Sequence, residues 1–228
     1  PWAVCEYVRA TADESLCAET APYLTSPPLT RGEHSRYETP SLSGETGTVL
    51  EHCHRAAALV LRRGIGAHRL LRMAGATACR IDSVAQSFAA FSPYADRDRV
   101  QTALTAALAG LRDRERRLIR IYAPAFLPEE RAPGYVSTYG PGFRENGGQY
   151  THAAVWLALA LQRAGRREEA AALAEDMARS LTAPEYGAEP FVLPADIAYA
   201  PGKEGRAGWS WYTGAAGWYL RLLRELYG

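Results

Sequence analysis

Residues 142–164 read GFRENGGQYTHAAVWLALALQRA. The nine positions from Arg144 to His152 carry Arg, Glu, Asn, Gln, Tyr, Thr and His around a Gly147-Gly148 turn, and a helix opens at Thr151. Asn146 is the only asparagine in the chain and stands just before Gly147, where a turn favours it. His152 falls in the first helical turn, a place that disfavours a protonated imidazole and attracts an anion. Such a density of polar types on a loop suits a binding site. The plainer alternative is an elaborate helix cap, with Thr151 or Gln149 as the capping residue. The helix continues to Ala164, turns at Gly165 and returns as a second helix over Arg166–Leu181.

Working outward, the apolar spacing is helical nearly everywhere. It predicts helices over Pro1–Ala12, Thr46–Arg63, Asp82–Phe91, Asp96–Leu118 and Gly214–Tyr227. In the second of these, Val49, Leu50, Cys53, Ala57 and Val60 recur at intervals of three and four. Residues 22–45, 124–148 and 182–208 form long connectors rich in Pro, Gly, Ser and Thr, and no stretch shows convincing strand alternation. Connectors of roughly 20 residues are unusual in a plain helical bundle and are more often functional than idle. No fixed-period repeat supports a solenoid. The expectation is one all-α domain over residues 1–228.

Composition narrows the function. Of 228 residues, 47% are hydrophobic and 22% charged, enough to bury a core. Lys plus Arg is 26 and Asp plus Glu is 25. A net charge of +1 argues against a nucleic-acid binder, which needs a basic face to neutralise phosphates. No apolar run approaches the ~20 residues of a membrane span. Cys5, Cys17, Cys53 and Cys79 fit no zinc or disulfide spacing and read as reduced, mostly buried thiols. With no signal peptide at the N-terminus, the expected location is cytoplasmic, or a cytosolic domain of a larger membrane enzyme. The chain begins at Pro1, which suggests a piece of a longer product.

A second motif, GRAGWSWYTGAAGW, covers Gly205–Trp218. Thr213-Gly214 stands directly before the last helix, where a hydroxyl and free backbone N–H groups can hold an oxyanion or phosphate. Close helix packing at Ala215, Ala216 and Gly217 is the alternative. Four of the five tryptophans, Trp156, Trp209, Trp211 and Trp218, lie in the last third of the chain. Aromatic rings beside Gly, Asp, Glu and Arg on loops suit carbohydrate, whose C–H faces lie on rings and whose hydroxyls bond to charged groups; ring packing that pins the loops is the alternative. His52 and His54 point apart on a helix, so no metal site is expected in Glu51-His52-Cys53-His54. Asp82 or Ser83 is expected to cap a helix. The charged run Arg112–Arg117 reads as a solvated face.

Five stretches together carry a family resemblance: TGTVLEHCHR (Thr46–Arg55), CRIDSVAQSF (Cys79–Phe88), GFRENGGQYTHAA (Gly142–Ala154), EPFVLPAD (Glu189–Asp196) and GRAGWSWYTGAAGW (Gly205–Trp218). The chain resembles the catalytic domain of glycoside hydrolase family 94, the inverting β-glucoside phosphorylases, and most of all the phosphorylase-like domain of cyclic β-1,2-glucan synthases. The resemblance implies part of an (α/α)6 barrel of the six-hairpin glycosidase type. It also implies phosphorolysis, with inorganic phosphate as co-substrate and no cofactor: phosphate attacks the anomeric carbon while one carboxylic acid protonates the leaving oxygen. Phosphate needs no base to make it a nucleophile, so one catalytic carboxyl suffices. By carry-over, His152, Thr213 and Gly214 contact phosphate. Glu145 and Tyr150 face the sugar, and Arg144, Trp209 and Trp211 join them as expected sugar-binding residues.

The sequence departs from the family pattern at its most important point. The family's general acid lies in a Gly-Asp-Trp-Asn-Asp motif that follows a His-Gly-Leu-Pro-Leu-like stretch. Here His68–Met73 reads HRLLRM and passes through Ala74–Ala78 straight to Cys79, and no Trp-Asn-Asp occurs anywhere. No catalytic residue is therefore assigned. The expectation is a carbohydrate-active domain impaired by an internal deletion, acting on β-glucan or gluco-oligosaccharide and phosphate. The alternatives are a non-catalytic glucan-binding or structural remnant, and a partial barrel completed by association with a missing half or a second copy.

Overall fold

The computed structural model describes residues 1–30, 33, 36–62, 78–93, 95–128, 134–211 and 214–228. The chain divides into two compact units, Pro1–Ile65 and Gly66–Gly228.

The first unit opens with helix α1 (Trp2–Thr11), closed by Ala12 in the left-handed conformation. Strands β1 (Thr20–Thr25) and β2 (Ser41–Thr48) form an antiparallel hairpin, Thr20 opposite Thr48 and Thr25 opposite Ser41, with a register shift between Pro22 and Leu24. This hairpin corrects the expectation of an unstructured connector over 22–45. Helix α2 (Val49–Arg62) begins at a reciprocal cap. The Thr48 N–H donates to Glu51 Oε2 at 2.6 Å, and the Glu51 N–H donates to Thr48 Oγ1 at 3.1 Å. His52 is committed to the hairpin: its ring lies 3.9 Å from that of Tyr23, and Nε2 is 3.1 Å from the Ala21 carbonyl oxygen.

The second unit is built around one helix. After β3 (Ile81–Asp82) come α3 (Ser83–Phe91) and α4 (Arg97–Leu111), a β4 (Arg112–Asp113) and β5 (Leu118–Ile119) hairpin, and β6 (Tyr122–Ala123) paired with β3. Then follow β7 (Gln149–Tyr150), α5 (Thr151–Arg163), α6 (Arg167–Ala178), β8 (Asp196–Ile197), β9 (Ala207–Gly208) and α7 (Gly214–Tyr227). Helix α5 packs on α3, α6 and α7. Its residues Ala153, Val155, Leu157, Ala158, Leu159, Ala160 and Leu161 are fully buried, so it is apolar on every side and forms the core. Asp82 caps α3 as expected, accepting the N–H groups of Val84 and Ala85 at 2.7 and 3.1 Å.

Two expectations fail here for identifiable reasons. Helix α4 stops at Leu111 and not at Leu118, because Asp113 accepts the Arg116 N–H at 2.9 Å and turns the chain into β5. The charged run is also not uniformly solvated. Arg112 makes a nearly buried ion pair with Asp176 of α6 at 2.6 Å, across 64 residues of sequence. The all-α expectation is likewise refined: helices dominate, with short strands tying the loops. Strands β7, β8 and β9 form a three-stranded antiparallel sheet in which Asp196 lies between Tyr150 and Gly208. That sheet brings both sequence motifs together.

Candidate functional site

The Arg144–Tyr150 loop is organised by Asn146, which is 2% exposed. Its Oδ1 accepts the Tyr122 hydroxyl at 3.1 Å and the Phe126 N–H at 2.8 Å. Its Nδ2 donates to the carbonyls of Phe126 at 3.0 Å and Tyr139 at 2.8 Å. The asparagine thus does more than favour a turn, since it pins two flanking loops. Gly142, at φ 86°, closes the loop base: a Cβ there would fall 2.5 Å from Ala200 N, backbone that cannot move aside.

Neither expected capping residue caps α5. Gln149 Oε1 accepts the Ile119 N–H at 2.9 Å, and the buried Thr151 Oγ1 has no hydrogen-bond partner among the described residues. The helix start carries no side-chain cap. His152 projects from this turn into an aromatic surround, with ring centroids 6.3 Å from Tyr150 and 4.9 Å from Trp156. Trp156 in turn meets Trp218 edge-on at 5.9 Å, and its buried indole Nε1 has no partner among the described residues. Burial pulls the His152 pKa below its ordinary value of 6.5, so the ring is neutral near pH 7.

The start of α7 lies directly against His152. A Cβ on Gly214 would sit 2.6 Å from His152 Cε1 and 3.4 Å from Nδ1, so only glycine leaves the imidazole in place. The first turns of α5 and α7, each the partially positive end of a helix, therefore converge on one ring. Thr213 lies outside the described residues.

A cleft of about 430 Å³ is lined by Thr138, Tyr139, Phe143, Arg144, Asp196, Lys203, Arg206, Gly208 and Trp209, among others. Arg144, held at φ 46°, places its guanidinium 5.3 Å from the Tyr139 ring and 4.6 Å from the Trp209 ring. Its Nε is 3.5 Å from Glu145 Oε2, and the Tyr135 hydroxyl donates to Glu145 Oε1 at 3.2 Å. Of the expected sugar-binding residues, Arg144 and Trp209 share the cleft, with Glu145 behind Arg144. Tyr150 stacks towards His152. Trp211, 71% exposed, is not among the residues lining the cleft and donates its indole N–H to Glu189.

Asp196 is the residue that sequence reasoning did not single out. It is 5% exposed, and burial raises its carboxyl above 3.8, countered by Arg144 and reinforced by Glu145. The available signal was a lone acid inside the apolar stretch FVLPADIA. Among the described residues no group of three or more His, Cys, Asp or Glu could hold a metal ion. No described helix is long and apolar enough to cross a membrane.

A solved structure described as a wild-type glycosidase superposes with a TM-score of 0.54 at 18% identity, covering 78% of this chain and 43% of that one. A variant glycosidase in complex with glucose gives a TM-score of 0.50 at 19% identity over the same shares. At that identity these neighbours establish the fold alone. The cyclic beta-(1,2)-glucan synthase NdvB of Rhizobium meliloti (strain 1021) is 30% identical over 309 aligned positions, covering 96% of this chain and 11% of its own length. The aligned region is longer than the chain's 228 residues, so the relative carries residues there that this chain lacks. The family model described as the glycosyl hydrolase 94 superfamily, catalytic domain, matches residues 71–227. The chain therefore belongs to the glycosyl hydrolase 94 superfamily, and its match is to the catalytic domain of that family.

Proposed function

We propose that this chain is a partial (α/α)6-barrel domain that binds inorganic phosphate and a β-glucosyl unit side by side, with phosphorolysis weakened by loss of the general acid. One observation carries the reading: two uncapped or glycine-started helix ends converge on His152, whose ring stacks with Tyr150, the strand partner of Asp196 in the lining of an aromatic, charged cleft. A neutral imidazole and free backbone N–H groups can stabilise phosphate as it approaches an anomeric carbon, because donors fixed in place need no reorganisation as charge develops. Gly214 supplies the second helix start, and Thr213 and Gly214 are the proposed phosphate contacts there with His152. Arg144, Glu145, Tyr150, Trp209 and Trp211 are the proposed sugar contacts. Similarity to the relative through 96% of the chain supports treating residues 1–228 as one partial domain of a larger enzyme acting on β-1,2-glucan.

The absent Gly-Asp-Trp-Asn-Asp motif sets the expected rate. Loss of a general acid typically costs ~100- to 10,000-fold. Release of glucose 1-phosphate from sophorose or cellobiose with phosphate should be negligible for this chain, and ready turnover would contradict the proposal. A complementary half, if it associates, should restore turnover in the same assay, and size measurement in solution would show the association.

A further inference from the structure

The His152 ring is held by other rings. Among the described residues no hydrogen bond or ion pair reaches it, and burial is the one cause that moves its titration. A histidine is usually oriented by a hydrogen bond to its second nitrogen, which fixes the ring plane and the tautomer. Here aromatic walls take that part. Trp156 stands one turn further along α5 on the same helix face, its ring centroid 4.9 Å away and tilted by 49°. Tyr150, from β7, lies nearly parallel to the imidazole at 6.3 Å and 14°. The bare Cα of Gly214 completes the contacts, since a Cβ there would fall 2.6 Å from His152 Cε1.

Trp156 is itself locked. Phe88 of α3 meets its ring edge-on at 5.2 Å and 87°, and Trp218 of α7 meets it edge-on at 5.9 Å and 85°. Edge-to-face contact is a favoured arrangement of aromatic pairs. Helix α5 and the two helices packed on it, α3 and α7, thus each contribute one ring. The buried indole Nε1–H has no partner among the described residues, so shape and not a hydrogen bond holds the indole. Tyr150 is the one titratable side chain in ring contact with His152 among the described residues. Helix α3 carries no titratable side chain. On α6, Asp176 and Glu169 are paired with Arg112 and Arg166; on α7, Glu225 is paired with Arg163 and Arg221 lies over the Trp218 ring at 5.4 Å. We infer that Trp156, wedged between Phe88 and Trp218, is a positioning residue that fixes the plane of the His152 imidazole at the start of α7, so that the ring meets an oxyanion already oriented. A donor fixed beforehand loses less freedom on binding. This rests on the proposed phosphate contact, yet the hold on the ring exists without any anion and is measured separately.

The test is NMR of the His152 ring in the full chain, first as a pH titration without phosphate and then as a titration with inorganic phosphate. In wild type the ring should titrate below 6.5 and respond to phosphate. Trp156→Phe keeps an aromatic wall and should keep both properties. Trp156→Leu offers no flat face: the titration should return towards 6.5, and phosphate affinity should fall about tenfold or more, the scale of one hydrogen bond to a charged group. Trp218→Leu leaves α5 intact, should move both readings the same way, and decides the matter if Trp156→Leu fails to fold. Leu161→Ala, in the core further along α5, is the control: it should lower stability and leave the His152 titration unchanged. Readings in the two Trp→Leu variants equal to wild type, or an equal change in Leu161→Ala, overturn the inference. A wild-type ring that ignores phosphate while its titration still depends on Trp156 removes the phosphate contact and leaves the positioning role. A phosphate response indifferent to Trp156 does the reverse.

Discussion

Replacing Asn146 tests how the site loop is held. Asn146→Ala deletes four hydrogen bonds of 2.8–3.1 Å at a residue 2% exposed. A net value of ~1 kcal/mol per bond gives about 4 kcal/mol, and more where the Phe126 N–H or the two carbonyls stay buried without a partner. That is a large part of a typical domain stability of about 5–15 kcal/mol. For a chain of this length it corresponds to a melting-temperature loss of roughly 10 °C. Asn146→Asp is more specific. One oxygen can still accept from Tyr122 and Phe126, but the other then faces two carbonyl oxygens. Burial raises the pKa of such a carboxyl in the folded state above its unfolded value. The folded state then binds the extra proton, so the defect should shrink as pH falls and be largest at neutral pH. Thermal melts at pH 4 and pH 7 read both effects. A melting temperature for Asn146→Ala within about 2 °C of wild type, or an Asn146→Asp defect that grows in acid, would refute the reasoning.

Four further outcomes follow from the same geometry. Asp196 titrates above its unfolded value, so its stabilising contribution is present at low pH and lost as pH rises through the folded pKa; Asp196→Asn should therefore melt higher than wild type near pH 7, with the gap closing in acid. His152 titrates below 6.5, so the unfolded state takes up its proton first and stability should fall as pH drops below 6.5, an effect removed in His152→Ala melts. The Cys79 thiol is buried and pushed up to about 12, whereas Cys5, Cys17 and Cys53 are partly exposed. Mass spectrometry of alkylation near pH 8 should find Cys79 modified last, because the thiolate is the reactive form. Asp176→Ala leaves Arg112 nearly buried without its partner and should cost about 3–5 kcal/mol in urea denaturation, against little for exposed pairs such as Arg9–Glu6.

What the sequence made legible was local. Helix α5 is a long apolar run behind a turn, α2 has periodic apolar residues, and Asp82 is a capping type at a helix start; each needs only neighbours within a few positions. The β1–β2 hairpin was hidden because Pro22 interrupts one strand at a register shift and the other, SLSGETGT, is polar with two glycines, so no alternation exists to be read. The end of α4 was hidden because its helical composition continues past Leu111, while the partner of Arg112 lies 64 residues away. The cysteines were read as mostly buried, but only Cys79 is; Cys5, Cys17 and Cys53 sit partly exposed in the first unit. At the site, His152 and Gly214 each stood out as a helix start, yet their contact depends on α5 packing on α7. Asp196 gave least warning. An isolated acid in an apolar stretch acquires meaning only when β8 carries it between Tyr150 and Gly208.

The convergence of two helix starts on His152 is tested most directly by NMR of its imidazole during titration with inorganic phosphate. The account predicts a saturable shift of the His152 ring signals in wild type that disappears in Gly214→Ala, where a Cβ would sit 2.6 Å from the ring and displace it. Ring signals that stay fixed up to tens of millimolar phosphate, or that shift equally in Gly214→Ala, would contradict it.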